Sequence, residues 1–189
     1  IFNLDWSYSY LNEGFGNLSD STLLWAIRRN SQLIYSSVFG LINPIAVLSP
    51  KFFSIENIYL KWDLNMILNM ISKSNSEMTL QFLSYNPVTK DGYWEEVDTA
   101  LISASKRGVK VKLIVSDWNL SKTAVTHFKE LIQYPNIEIR YTEIPDYSGG
   151  FIPFARVEHC KFITADSVCW IGTSNMSYDY FYESRNVGL

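Results

Sequence analysis

His159-Cys160-Lys161-Phe162-Ile163-Thr164-Ala165-Asp166, followed after a five-residue gap by Gly172-Thr173-Ser174-Asn175, is the stretch that decides how this chain is read. The run is apolar and β-leaning, and alternation along a strand sends residues two apart to the same face. An imidazole and an ammonium, at His159 and Lys161, are thereby expected side by side. A nucleophile or proton donor beside a fixed cation is what attack on a phosphate diester requires. Val168 to Ile171 reads as a second short strand, and Thr173, Ser174 and Asn175 arrive just after it as uncharged donors for phosphoryl oxygens. A core hairpin that happens to carry a His and a Lys would account for the HxK pair alone. The Asp and the Gly-Thr-Ser-Asn tetrapeptide at these offsets favour a site.

Outward from the motif, the punctuation alternates helix with strand. Asp63-Leu64-x-x-Ile67-Leu68-x-x-Ile71 has helical spacing and runs out in Ser72-Lys73-Ser74-Asn75-Ser76. Met78 to Tyr85 reads as a strand closed by Asn86-Pro87, and Tyr93 to Ser105 as a helix burying Val97, Leu101 and Ile102. Gly108 follows the basic end of that helix, Lys106-Arg107, as a C-cap would. Val109 to Val115 is the clearest strand, Thr123 to Ile132 a further helix and Ile137 to Tyr141 a further strand. Asp146 to Gly150 reads as a flexible loop rimming the motif. Strand-helix-strand order of this kind predicts an α/β fold, with a mixed, largely parallel sheet flanked by helices.

The pattern HxKxxxxD with a trailing G-[ST]-x-N resembles the phospholipase D superfamily. Tyr93-Trp94, Val97-Asp98-x-Ala100-Leu101, Lys106-Arg107-Gly108-Val109-Lys110-Val111-Lys112-Leu113-Ile114-Val115 and Ile152-Pro153-Phe154-Ala155-Arg156-Val157 extend the likeness from about Ser54 to Glu183. That order is similar to the second half of animal lysosomal phospholipase D-like proteins, which degrade single-stranded nucleic acid from the 5′ end. Viral phospholipase-like envelope proteins and poxviral nicking-joining enzymes share much of it. The resemblance implies a phospholipase D-like half-domain over residues 51–189. Residues 1–50, opening with Phe2, Leu4, Trp6, Tyr8 and Tyr10, would close a preceding half and connect the two.

In that superfamily two half-sites face each other across a pseudo-two-fold axis, each supplying one His and one Lys. One His attacks phosphorus to give a phosphohistidine, and the other protonates the leaving oxygen and then activates water or an alcohol. The resemblance thus implies His159 as nucleophile or general acid, and Lys161 as the group neutralising charge on the phosphoryl oxygens. Ser174 and Asn175 would be supporting donors, and Glu183 would orient the imidazole. Asp166, at the hairpin turn, is expected to be structural or supporting. Only two histidines exist in the chain. His127-Phe128-Lys129 mimics HxK, but Tyr134 stands where the Asp should be and the spacing is helical, so His127 is expected on a helix surface. The second half-site is then expected from residues upstream or from another copy of the chain. No metal and no cofactor is implied, because one motif histidine without ligand-spaced neighbours makes a poor cation site.

For substrate, three readings stay open: single-stranded nucleic acid, a glycerophospholipid headgroup diester, and a catalytically silent assembly or trafficking protein of the same fold. Tyr93, Trp94 and Phe154 could stack bases and Arg156 could contact a phosphate, although aromatics at such positions are more often core. The net charge of −3 argues against a general duplex-binding surface, which needs clustered Lys and Arg, but not against a local basic groove. A hydrophobic fraction of 47% over 189 residues supports a sizeable buried core. Apolar runs are strand-sized rather than membrane-spanning. Cys160 and Cys169 fall on the two arms of one hairpin and are expected as buried free thiols, with a cross-strand disulfide as the alternative. Asn17-Leu18-Ser19 and Asn119-Leu120-Ser121 are acceptor sequons that lend weak support to a lysosomal or secretory address over a cytoplasmic or membrane-associated one. Asn175-Met176-Ser177 is a sequon in form only.

Overall fold

The computed structural model describes residues 34–37, 40–51 and 61–189, and the chain divides into two compact units, residues 1–46 with 55–60 and residues 47–54 with 61–189. The aromatic opening segment and the Asn17 sequon lie outside the described residues. In the first unit, β1 (Ile34–Ser36) pairs antiparallel with β2 (Gly40–Ile42).

The second unit carries the motif. It starts with β3 (Val47–Ser49), β4 (Lys61–Trp62) and helix α1 (Asp63–Lys73). β5 (Glu77–Phe82) follows, then three two-residue strands, β6 (Tyr85–Asn86), β7 (Val88–Thr89) and β8 (Gly92–Tyr93). Next come α2 (Glu96–Lys106), β9 (Lys110–Ser116), a 3-10 turn at Asp117–Asn119, α3 (Lys122–Leu131) and β10 (Ile137–Thr142). The motif hairpin is β11 (Phe162–Ala165) with β12 (Val168–Ile171), and the chain closes with β13 (Met176–Ser177), α4 (Tyr178–Tyr182) and β14 (Asn186–Gly188).

The main sheet has the order β10-β9-β5-β11-β12. Its β10–β9 and β9–β5 pairings are parallel, while β5–β11 and β11–β12 are antiparallel. The fold is the mixed sheet flanked by helices that strand-helix-strand order requires, with the parallel pairings gathered on one side. Alternation sets the core. Met78, Leu80 and Phe82 of β5, Val111, Leu113 and Val115 of β9, and Ile163 and Ala165 of β11 are buried, whereas Lys110 and Lys112 point to solvent. Each buried branched or aromatic side chain of this row is worth roughly 1.5–3 kcal/mol of transfer free energy. Helix α1 adds Leu64, Ile67, Met70 and Ile71 at spacings of three and four, one stripe against the sheet layer. Its last carbonyls are not left bare: the Arg107 guanidinium donates to the carbonyls of Ile71, Ser72 and Ser74 at 3.0, 3.1 and 3.3 Å.

Local limits moved by a few residues. The strand expected to reach Tyr85 ends at Phe82, and the helix expected from Tyr93 begins at Glu96. Tyr93 instead closes the small β7–β8 hairpin opposite Val88. Among the described residues no helix is long and apolar enough to cross a membrane.

Candidate active site

Lys161, Ile163 and Ala165 occupy one face of the motif segment by alternation, and all three are buried. Lys161 stands at the end of that row, so its stem packs with the core while its ammonium reaches the rim. His159 and Cys160 precede β11 rather than belong to it. The ladder nevertheless extends one step beyond the strand, because Gly172 N–H donates to the Lys161 carbonyl at 3.1 Å. Extended backbone therefore still puts residues 159 and 161 on one side. Lys161 Nζ lies 3.4 Å from His159 Nδ1, 3.3 Å from Nε2, and donates to the His159 carbonyl at 3.2 Å. Burial pushes the Lys161 ammonium below the usual lysine range. His159 itself is exposed. The pair presents a ring nitrogen to solvent with a half-sunken cation against it.

The register places this pair in the fold. Phe162 lies opposite Gln81, which lies opposite Ile114. His159 and Lys161 thus sit at the carboxyl edge of the parallel strands, where α/β sheets present ligand crevices. Asp117 and Trp118 leave β9 at that edge, and Glu143 to Arg156 leave β10. With Tyr147 and Phe151 they border a hollow of about 120 Å³. Of the expected loop, residues 146–150, Asp146 and Tyr147 line this hollow, whose lining does not include His159 or Lys161, and Tyr147, Phe151, Ile152 and Phe154 are exposed on the segment, Phe154 to 88%. Arg156 Nε donates to the Pro145 carbonyl, tying the two ends of the segment together.

The Gly-Thr-Ser-Asn turn is built inward. Any side chain at Gly172 would collide with the Trp170 ring, which is why glycine opens it. Thr173 is exposed, but its hydroxyl donates to Asn186 Oδ1 at 3.0 Å and accepts from Val187 N–H at 3.1 Å. Ser174 is wholly buried and donates to Asp63 Oδ2 at 3.4 Å. Asn175, also buried, donates to the Tyr180 hydroxyl at 3.1 Å and accepts from Ser84 N–H at 3.3 Å. Ser174 and Asn175 are thus buried and hydrogen-bonded within the fold, whereas Thr173 remains exposed beside them.

Asp63 is the group that sequence reasoning passed over. It opens α1, fully buried, and accepts from the Ser49 hydroxyl, from Leu64 N–H at 2.9 Å and from Ser174. Desolvation pushes its carboxyl up to about 6, against the lowering effect of those hydrogen bonds. An acid at the first turn of a helical pattern is an ordinary sight. Its partners come from 14 residues before it and 111 after it, so no local signal marks it.

Packing describes the remaining candidates. Asp166 turns the hairpin in a left-handed conformation (φ 50°), with its carboxylate accepting from the N–H groups of Asn75, Ser76 and Glu77 at 2.8–3.2 Å. These donors hold it below the usual carboxylate range. Four extended residues lie between it and Lys161, a span of roughly 16 Å of strand, and its carboxylate ties the end of α1 and the start of β5 to the hairpin. Trp94 is buried against Tyr178 and Phe181, with ring centroids 6.4 and 5.5 Å away, and has no free face for a base. Tyr93, in contrast, is exposed. Glu183 is exposed just past α4, and among the described residues no hydrogen bond joins it to His159. His127 is not a surface residue. It is 5% exposed within α3, its Nε2 3.4 Å from Asp98 Oδ2, and Lys129 two positions on points to another side of the helix. Cys160 and Cys169 are free but exposed rather than buried. Asn119 is buried and donates to the Tyr85 carbonyl at 3.2 Å, so its sequon offers no accessible acceptor.

Residues 67–189 match the family model described as Cardiolipin synthase, PLD-like domain. Among curated proteins, Phospholipase D Y of Dictyostelium discoideum is 31% identical over 144 residues, 72% of this chain and 32% of that protein. The 5'-3' exonuclease PLD4 of Mus musculus is 32% identical over 139 residues, 67% of this chain and 28% of that protein. The chain therefore spans about a third of the length of the curated relatives it matches. Among solved structures, NucT from Helicobacter pylori shares the fold with a TM-score of 0.58 at 19% identity, covering 76% of this chain and 82% of that one. The family model, matched over residues 67–189 and so over more than half of the chain, shows that the chain belongs to the phospholipase D-like family.

Proposed function

We propose that this chain supplies one half-site of a phosphodiesterase that hydrolyses single-stranded nucleic acid through a phosphohistidine intermediate. The observation that carries the reading is Lys161 Nζ within 3.4 Å of both His159 ring nitrogens, on a rim open to solvent. A phosphoryl group approaching His159 meets that ammonium, which neutralises the charge that grows on the equatorial oxygens during displacement. In the first step a ring nitrogen lone pair forms the N–P bond as the P–O bond to the leaving strand breaks. The departing oxygen takes a proton from an opposing imidazole. In the second step that imidazole accepts a proton from water, whose oxygen forms the new P–O bond as N–P breaks. His127 cannot be the opposing group, since it is buried and held by Asp98. The opposing HxK half-site comes, in this reading, from another segment or another copy of the chain.

Nucleic acid is preferred because PLD4, a 5'-3' exonuclease, is 32% identical, and because exposed rings at Trp118, Phe151 and Phe154 stand on the segments that leave the carboxyl ends of β9 and β10. Phospholipase D Y, at 31%, keeps a glycerophospholipid as the second reading. The test is a single-stranded oligonucleotide against phosphatidylcholine vesicles across about pH 4.5–8, a window around the histidine pKa. Release of nucleotides is expected. Choline release with an intact oligonucleotide would replace this reading with the lipid one.

A further inference from the structure

Tyr93 is mounted the wrong way round for a surface tyrosine. Ordinarily the ring packs and the hydroxyl reaches water. Here the ring is 50% exposed while the hydroxyl is turned inward, donating to Asp98 Oδ2 and lying 3.2 Å from His127 Nδ1. Asp98 and His127 are both buried, and Asp98 is also held by the Tyr85 hydroxyl at 2.5 Å. On the other side the backbone is fixed by buried Trp94, whose N–H donates to the Pro87 carbonyl at 2.8 Å. A ring pinned at its polar tip and at its backbone, with its apolar surface left to solvent, is a rigid platform. It walls a groove of about 370 Å³ between the β7–β8 hairpin and α3, within the size range of small-ligand sites. Across the groove stand Lys122 and Thr126, with Glu130 eight residues further along α3, roughly 12 Å from Lys122.

We propose that this groove is a nucleobase-stacking subsite, with Tyr93 as the platform and Lys122 as the contact for the adjoining phosphate. The proposal rests on the nucleic-acid reading above and extends it to a site away from the HxK pair. A base has a flat π face for the ring, and its backbone carries the charge that Lys122 complements. The phosphate takes the Lys122 end of the groove because Glu130 repels it from the other.

The test couples ring and base. Single-stranded oligonucleotides, each lacking one base at a different position, are assayed with the wild type, Tyr93→Ala and Tyr93→Phe. In the wild type one abasic position should raise KM by roughly five- to a hundredfold, the range for one stacked base. Tyr93→Phe, which keeps the ring, should retain that penalty, and Tyr93→Ala should lose it at that position only. Identical abasic penalties in wild type and Tyr93→Ala would overturn the subsite while leaving the phosphodiesterase reading intact. A wild type that cleaves vesicle lipid and no oligonucleotide would overturn both. Should Tyr93→Ala fail to fold, exposed Lys122→Gln decides instead. It is expected to raise KM evenly across strands and to flatten its salt dependence by about one phosphate. An unchanged KM and salt slope there would refute the proposal.

Discussion

Replacing Asp63 by Asn should change how folding stability depends on pH, and the size of the change follows from where the carboxyl sits. Asp63 is fully buried, and desolvation raises its carboxyl from 3.8 to about 6. The native state therefore holds this proton more tightly than the unfolded chain. A raised acid contributes stability that is fully present below pH 3.8 and lost as pH rises through about 6. Two pKa units correspond to about 3 kcal/mol. Asn is isosteric and does not titrate. Its carbonyl can accept one of the present donors, and the serine hydroxyl left facing its NH₂ can turn to accept. The assay is urea unfolding of both proteins at pH 4, 5, 6 and 7, read as the difference between them so that other titrating groups cancel. Wild type minus Asp63→Asn should fall by about 2.4 kcal/mol from pH 4 to pH 7, most of it between pH 4 and 6. A difference flat to within about 0.5 kcal/mol, the usual range for changes away from special features, would refute the buried, penalised carboxylate.

Three further outcomes are expected. Asp166→Ala removes the acceptor of three backbone N–H groups and a residue type that tolerates φ 50°, so its unfolding midpoint should drop. Asp166→Asn should drop less, and equal midpoints for both variants would contradict the clamp. Chelation should leave the chemical step unchanged, since Lys161 supplies the charge; complete inhibition by EDTA reversed by one divalent metal would overturn that assignment. Mass spectrometry should find Asn119 and Asn175 without glycan, because both amides are buried and hydrogen-bonded. A sugar on either in active protein would contradict the described packing.

Periodicity made the frame legible. The alternation of Val109, Val111, Leu113 and Val115 against Lys110 and Lys112 is strand β9, with its odd residues buried and its lysines out. The helical spacing of Leu64, Ile67 and Ile71 is α1. The HxK pair was legible because two-residue spacing in extended chain is enough to bring the side chains together, even one step outside the strand. Misreadings share one physical cause: burial decided by residues distant in sequence. His127 has the spacing of a surface helix position, yet Tyr93, 34 residues earlier, and Asp98 cover it. Ser174, read as a donor for phosphoryl oxygens, is buried and hydrogen-bonds Asp63, 111 residues earlier. Polar types in a motif announce a site without saying which of them face the substrate and which hold the others in place.

The central claim is that His159 carries the chemistry with Lys161 beside it, and the most direct measurement is turnover of a single-stranded oligonucleotide by the wild type and by His159→Ala, with thermal unfolding followed on the same samples. His159 is exposed and its ring makes its close contact with Lys161, so His159→Ala should melt close to the wild type. Turnover should fall by at least the roughly 10²–10⁴-fold typical of losing a proton-transfer group. Turnover of His159→Ala within about tenfold of the wild type, in protein that remains folded, would contradict the account.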